Sequence, residues 1–156
     1  MRQRTDQGRL LMDIKCHSVY KWPMGLQAET TTSTPRATRE MGAAGLRAFT
    51  RIAEAWGLTV AEQMKLLGIR SRSTWFKWRK DVAVELPADT LERLSYLLGI
   101  YKALQLLFAE PARADAWLRR PNDAAPFGGR SALDRMLSGQ VADLYVVRQY
   151  LDAQRG

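Results

Sequence analysis

From Ala43 to Ala153 apolar residues return every three or four positions, and no stretch alternates long enough to demand a strand. Such spacing gathers side chains into stripes along helices, so the expected class is all-α. In the first helix Ala44, Ala48, Ile52 and Ala55 set the stripe, which Leu46, Phe49 and Trp56 broaden, and Gly57 stops it. Thr59 and Glu62, three apart, form a capping box for a second helix, whose expected buried face is Val60, Met64 and Leu67. Gly68 ends that helix. Either Ser71 or Ser73 then caps a third over 74–80, carrying Trp75 and Trp78.

Pro87 suits the first position of a fourth helix, because its missing N–H would have no partner there, and Asp89 suits the positive end of the dipole. Leu91, Leu94, Leu98, Tyr101, Leu104 and Phe108 mark one long face over 88–108, widened by Leu97 and Leu107. Pro111, Pro121, Pro126 and Gly128-Gly129 break the remainder into short pieces. These are a helix over 112–119 carrying Trp117, a one- to two-turn helix started by Ser131 and Asp134, and a last helix over 140–153. Residues 1–42 differ: Pro23, Gly25 and a polar tract over 30–34 show no sustained period, so an irregular arm is expected, with a linker at roughly 28–40. Two apolar patches in it, 10–12 and 19–22, are candidates for docking.

Two short helices around a glycine turn, preceded by another helix, describe a helix-turn-helix. Leu66, Leu67, Ile69, Trp75 and Trp78 supply its inner face. Arg70, Ser71, Arg72, Ser73, Thr74, Lys77, Arg79 and Lys80 supply donors for phosphates and base edges, and residues 70–80 contain five basic side chains and no acidic one. Trp75 and Trp78, at helical spacing beside Leu67, are expected in the core rather than stacked on bases. The turn, taken as 68–74, is one residue longer than the tightest form, and Met64 stands where a small residue usually faces the crossing. Both would open the angle between the helices. The expected DNA surface is therefore 70–80, with double-stranded DNA as the ligand; the alternative is an ordinary helical hairpin with a solvated basic face.

The charge agrees. The chain has 24 basic and 16 acidic residues, a formal charge of +8, and such a surplus favours polyanions through counterion release. With one cysteine, Cys16, and one histidine, His17, neither an internal disulfide nor a Cys/His zinc site is expected. No nucleophile stands in a recognisable motif with a base, so no catalytic residue, no cofactor and no small-molecule substrate are expected. The basic, charged start lacks a signal-peptide core, and the most apolar run, 94–108, is short and interrupted for a membrane span, which points to the cytoplasm.

Residues 91–104, followed by Trp117-Leu118, Pro121-Asn122, Pro126-Phe127-Gly128-Gly129, Gly139 and a closing stretch over 147–152, resemble the Xre/ParS/MbcA-type antitoxins over about Leu46 to Ala153. The resemblance implies an Xre-like helix-turn-helix domain with a long linker helix, over 43–109, and a small helical toxin-binding domain over 110–156. It implies neutralisation by direct contact of a RES-domain toxin, similar to ADP-ribosyltransferases and destructive of NAD, and repression of a shared promoter. The toxin-binding residues are then Asn122, Phe127, Gly128, Gly129, Arg148, Tyr150, Leu151 and Arg155. Asn122 caps a turn with its own side chain, and Phe127-Gly128-Gly129 permits a tight backbone approach. Arg148 or Arg155 would enter or cover the toxin's anion-binding active site. Palindromic operators would require a homodimer, with the first and long helices as candidate surfaces. The competing reading is a free-standing helix-turn-helix regulator that dimerises through its C-terminal hairpin.

Overall fold

The computed structural model describes residues 35–155, and among these seven helices and no strand occur. They are α1 (Pro35–Ala55), α2 (Val60–Leu66), α3 (Arg72–Lys80), α4 (Ala88–Leu107), α5 (Pro111–Trp117), α6 (Ala132–Met136) and α7 (Val141–Gln154). The all-α expectation holds. The apolar patches at 10–12 and 19–22, with Cys16 and His17, lie outside the described residues.

Residues 35–42, expected to fall in the arm and partly in a linker at 28–40, are helical, because α1 begins at Pro35. Proline at a helix start is pre-set in φ and wastes no donor. An ion pair within the helix and contacts with residues 84–85 then hold the first turns. Arg36 pairs with Glu40 at 2.9 Å, Arg39 with Glu85 at 3.2 Å, and the Val84 N–H donates to the Arg39 carbonyl at 3.1 Å. Gly42 and Ala43 are buried, and Gly42 lies against the 84–86 segment, where a Cβ would stand 2.7 Å from the Val84 carbonyl oxygen.

The buried side of α1 is set by its large residues. Leu46, Phe49, Ile52 and Trp56 are inside with Ala43 and Ala53, while Ala44 and Ala55, expected on the stripe, are exposed. Side-chain area explains the rotation: burying a phenylalanine or leucine removes far more apolar surface from water than burying an alanine. Phe49 meets Trp75 of α3 edge-on, with ring centroids 6.3 Å apart, and both are fully buried.

A single face over 88–108 does not describe α4. Leu94, Leu97, Ile100, Ala103 and Leu104 are buried, whereas Leu91 is exposed and Leu98, Tyr101 and Phe108 are only partly covered. The helix lies between α1 on one side and α7 on another, with α5 near its end, so apolar residues are needed around most of its circumference. Close approach to α1 depends on Gly45, where a Cβ would stand 2.7 Å from Leu94 Cδ2. All the described residues therefore share one core, which runs through the boundary expected near residue 109. No described helix is long and apolar enough to cross a membrane.

Phe49→Ala should cost about 3–5 kcal/mol of unfolding free energy, because it removes a buried ring and its edge contact with Trp75. Val82→Ala, at a side chain 83% exposed, should stay within about 0.5 kcal/mol. Urea unfolding of the two variants checks the contrast.

Candidate functional site

The turn between α2 and α3 is fixed by a helix-closing motif. Gly68 has φ +70°, its N–H donates to the Lys65 carbonyl at 3.2 Å, and the Ile69 N–H donates to Met64 at 2.8 Å. This pair of bonds is the Schellman arrangement, which needs a residue free to enter the left-handed region at Gly68. Ser71, rather than Ser73, caps α3: its hydroxyl accepts from the Thr74 N–H at 3.3 Å and lies 2.8 Å from the Ser73 hydroxyl. Since α3 starts at Arg72, the connection is 67–71 rather than 68–74, and its five residues are one more than the four of a tight helix-turn-helix. Met64 is half-buried in a shallow groove with Val60, Ala61 and Ile69, so Gln63, Leu66 and Leu67 form the buried face of α2. The Gln63 amide contributes by donating to the Leu58 carbonyl at 2.8 Å.

Trp75 is fully buried and Trp78 half-buried against the core, as their helical spacing indicated. The opposite side of the same short segment is a donor surface. Arg70, Ser71, Arg72, Ser73, Lys77, Arg79 and Lys80 are exposed, and Thr74 is half-buried. The Arg72 guanidinium lies over the Phe76 ring and that of Arg79 over the Trp75 ring, each 5.6 Å from the centroid. Stacking steadies both cations along the helix without neutralising them. Among the described residues, the cations on 70–80 form no ion pair, whereas Arg36, Arg39, Arg93, Arg119, Arg135, Arg148 and Arg155 each face a carboxylate. The positive charge of the α2–α3 corner is thus uncompensated.

A second constellation lies at the other end of α4. Trp117 stacks on Tyr150 at 6.2 Å, and Phe127 meets Tyr150 edge-on at 4.9 Å and Trp117 at 5.9 Å. Leu107, Phe108, Trp117, Tyr150, Leu151 and Gln154 line a cleft of ≈ 250 Å³. The loop before α6 is held by its own bonds: Asn122 Oδ1 accepts from the Ala124 N–H at 3.0 Å, and the Gly129 N–H donates to the Asn122 carbonyl at 3.0 Å. Gly128 and Gly129 have φ of +57° and +82°, two successive left-handed residues that side chains would strain. The Arg135 guanidinium also donates to the Pro126 carbonyl.

A match to known families follows these two features. The family model for the antitoxin Xre-like helix-turn-helix domain matches residues 35–99, and that for the antitoxin Xre/MbcA/ParS C-terminal toxin-binding domain matches residues 103–156. The chain belongs to the Xre/MbcA/ParS antitoxin family. It is also 56% identical over 124 residues to the uncharacterized protein y4oB of Sinorhizobium fredii, a match spanning 80% of this chain and 94% of the relative.

Within the antitoxin, the residues singled out for toxin contact divide into two groups. Phe127 and Leu151 are buried in the core and shape the face from beneath. Gly128, Gly129 and Arg155 are exposed, and Asn122 and Tyr150 are half-buried. Arg148 is built into the α4–α7 seam: its Nε pairs with Asp152 at 2.7 Å, and its guanidinium occupies the space a Cβ on Gly99 would need. Arg155 shares the same carboxylate at 3.4 Å but remains exposed. The structure separates two arginines that were equivalent in the sequence. The aromatic cleft was not foreseen, because Leu107 and Gln154 are brought together only by the packing of α4 on α7.

The capping box of α6 supports this face and carries an acid-sensitive group. The Ser131 hydroxyl donates to Asp134 Oδ2 at 2.6 Å and its N–H at 3.2 Å, which holds the Asp134 carboxyl below its ordinary value of 3.8. A depressed folded value means that the ionised carboxylate stabilises the fold above that ordinary value, and the contribution is lost as pH falls through the folded one. The stability difference between the parent and Asp134→Asn should therefore shrink below about pH 3.9. Thermal melts across that range would show it, and a constant difference would remove the role assigned to this carboxylate.

Proposed function

We propose that this antitoxin neutralises a RES-type, NAD-degrading toxin by direct contact through its C-terminal face, and represses its own operon through the α2–α3 corner. The observation that carries the DNA half is the set of five unpaired cations on a segment whose other side is locked into the core. The charge surplus is concentrated in the same half: residues 35–109 carry twelve basic and seven acidic side chains, and residues 110–156 carry seven and six. Arginine and lysine at the turn and on α3 suit base edges and phosphates, and the hydroxyls of Ser71 and Ser73 suit phosphates. An apolar groove between α1 and α4, lined by Met41, Gly42, Leu91, Ser95 and Leu98, favours a homodimer, which a palindromic operator would require.

The toxin half rests on the family's toxin-binding domain and on the exposed rim around the aromatic cleft. Arg155 is the better of the two candidate plugs. Its ion pair is exposed and weak, so releasing it toward an acidic or phosphate-binding site costs little, whereas removing Arg148 would open the seam over Gly99.

Arg72→Ala and Lys77→Ala should each weaken binding to the protein's own promoter DNA. The loss is about 1–3 kcal/mol if a base contact is removed, or a salt slope lower by about one if a phosphate contact is removed. A gel shift with a salt titration reads both, and unchanged binding by both variants would reject this surface. For the toxin half, expressing the product of the neighbouring reading frame alone should deplete cellular NAD, and co-expression should restore it. Deleting residues 154–156 should release NAD loss again; full neutralisation by the truncated chain would eliminate the plug.

A further inference from the structure

Helix α2 has seven residues, too few to hold its own position, and side chains from outside the α2–α3 pair stand at both its ends. At its N-terminal side, Arg119, which follows α5, donates from Nη2 to the Gly57 carbonyl at 2.9 Å and to Trp56 at 3.3 Å. Its Nε also reaches the Trp56 carbonyl at 3.3 Å, and Nη1 stands 3.9 Å from Glu62. These carbonyls are unsatisfied acceptors at the end of α1, and Glu62 is the acid of the α2 capping box. One guanidinium therefore joins the C-terminal segment to the corner between α1 and α2.

At the other end of α2 stands Arg93, 9% exposed. Its Nε pairs with Asp89 at 2.8 Å, and Nη1 donates to the Gly139 carbonyl between α6 and α7 at 3.0 Å. The pair lies directly beneath the α2–α3 turn: a Cβ on Gly68 would stand 2.9 Å from both Arg93 Nε and Asp89 Oδ2. The joint between α6 and α7 is thus bonded to the group on which the turn rests.

We infer that Arg119 and Arg93 are positioning residues through which the C-terminal segment sets the pose of α2, and with it α3, for DNA. The segment assigned to the toxin is then also part of the DNA-reading apparatus. The inference rests on the function proposed above for its consequence, but not for its geometry. A partner that shifts α5 or the α6–α7 joint would change the affinity for DNA, and DNA would change the affinity for that partner by the same factor.

Hydrogen exchange on the full chain tests the positioning role without either ligand. Arg119→Met and Arg93→Met should each speed exchange over residues 58–71 by about tenfold or more, while amides over 100–104 in α4 and 144–151 in α7 keep the parent rates. Acceleration spread evenly over all helices would reduce the two arginines to general stabilisers and overturn the proposal. Unchanged rates everywhere would overturn it too. As a second readout, Arg119→Met should bind promoter DNA at least about fivefold more weakly yet neutralise the toxin as the parent does. Equal DNA affinity in parent and variant would reject the link to DNA. If the parent itself binds no promoter DNA, the functional reading fails, and the exchange pattern decides the positioning role by itself.

Discussion

Burial of α4 from two directions is the constraint on which the other elements depend. Its central residues Leu97, Ile100 and Leu104 are wholly inaccessible, with α1 packed on one flank and α7 on the other. A 20-residue helix surrounded in this way is an internal strut. The helix pair α2–α3 is placed by α1 and by the N-terminal end of α4, and the aromatic cleft by the C-terminal end of α4. Two glycines make the arrangement possible, Gly45 for the approach of α1 to Leu94 and Gly99 for the passage of Arg148. Each lowers helix propensity by about 1 kcal/mol relative to alanine, a cost offset by apolar area brought into contact.

The two ends of the strut present different chemistry. At the α2–α3 corner the cations stay unpaired and two are steadied by rings, so charge is held in place but left for an anion. At the α5–α7 end most arginines face carboxylates or carbonyls, and the surface features are the half-buried rings of Trp117 and Tyr150 and an exposed glycine-rich loop locked by Asn122. A surface of the first kind attracts a polyanion from a distance, and one of the second kind selects a protein by shape. That difference fits the family's division into helix-turn-helix and toxin-binding domains, although the two share one core.

Much of this was legible along the chain because the signals are local. The capping boxes Thr59/Glu62 and Ser131/Asp134 and the stop at Gly68 are consequences of backbone groups near a helix end needing partners within a few residues. The basic run over 70–80 was equally plain, because five cations without an acid are visible in any linear reading. Other features escaped for a physical reason. The start of α1 packs on a segment far along the chain, where the Val84 N–H donates to the Arg39 carbonyl and Gly42 fits against it, and the rotation of its buried face depends on where Trp75 lies. A small-residue stripe such as Ala44, Ala48 and Ala55 satisfies periodicity while offering little area to bury.

Sequence by itself determined the helical class, the order of the pieces, the caps and the charged corner, since each follows from spacing and local bonding. Tertiary structure decided which arginine does what. Arg148 and Arg155 stand seven residues apart, about two helical turns and so nearly on one face, and only the approach of α7 to Gly99 anchors the first while the second follows the end of α7 at the surface. Arg119 and Arg93 carry no local signal along the chain, because their partners at Gly57 and Gly139 are 62 and 46 residues away. Contacts of that separation exist only once α4 is enclosed, because their geometry is set by packing that no short window of sequence contains.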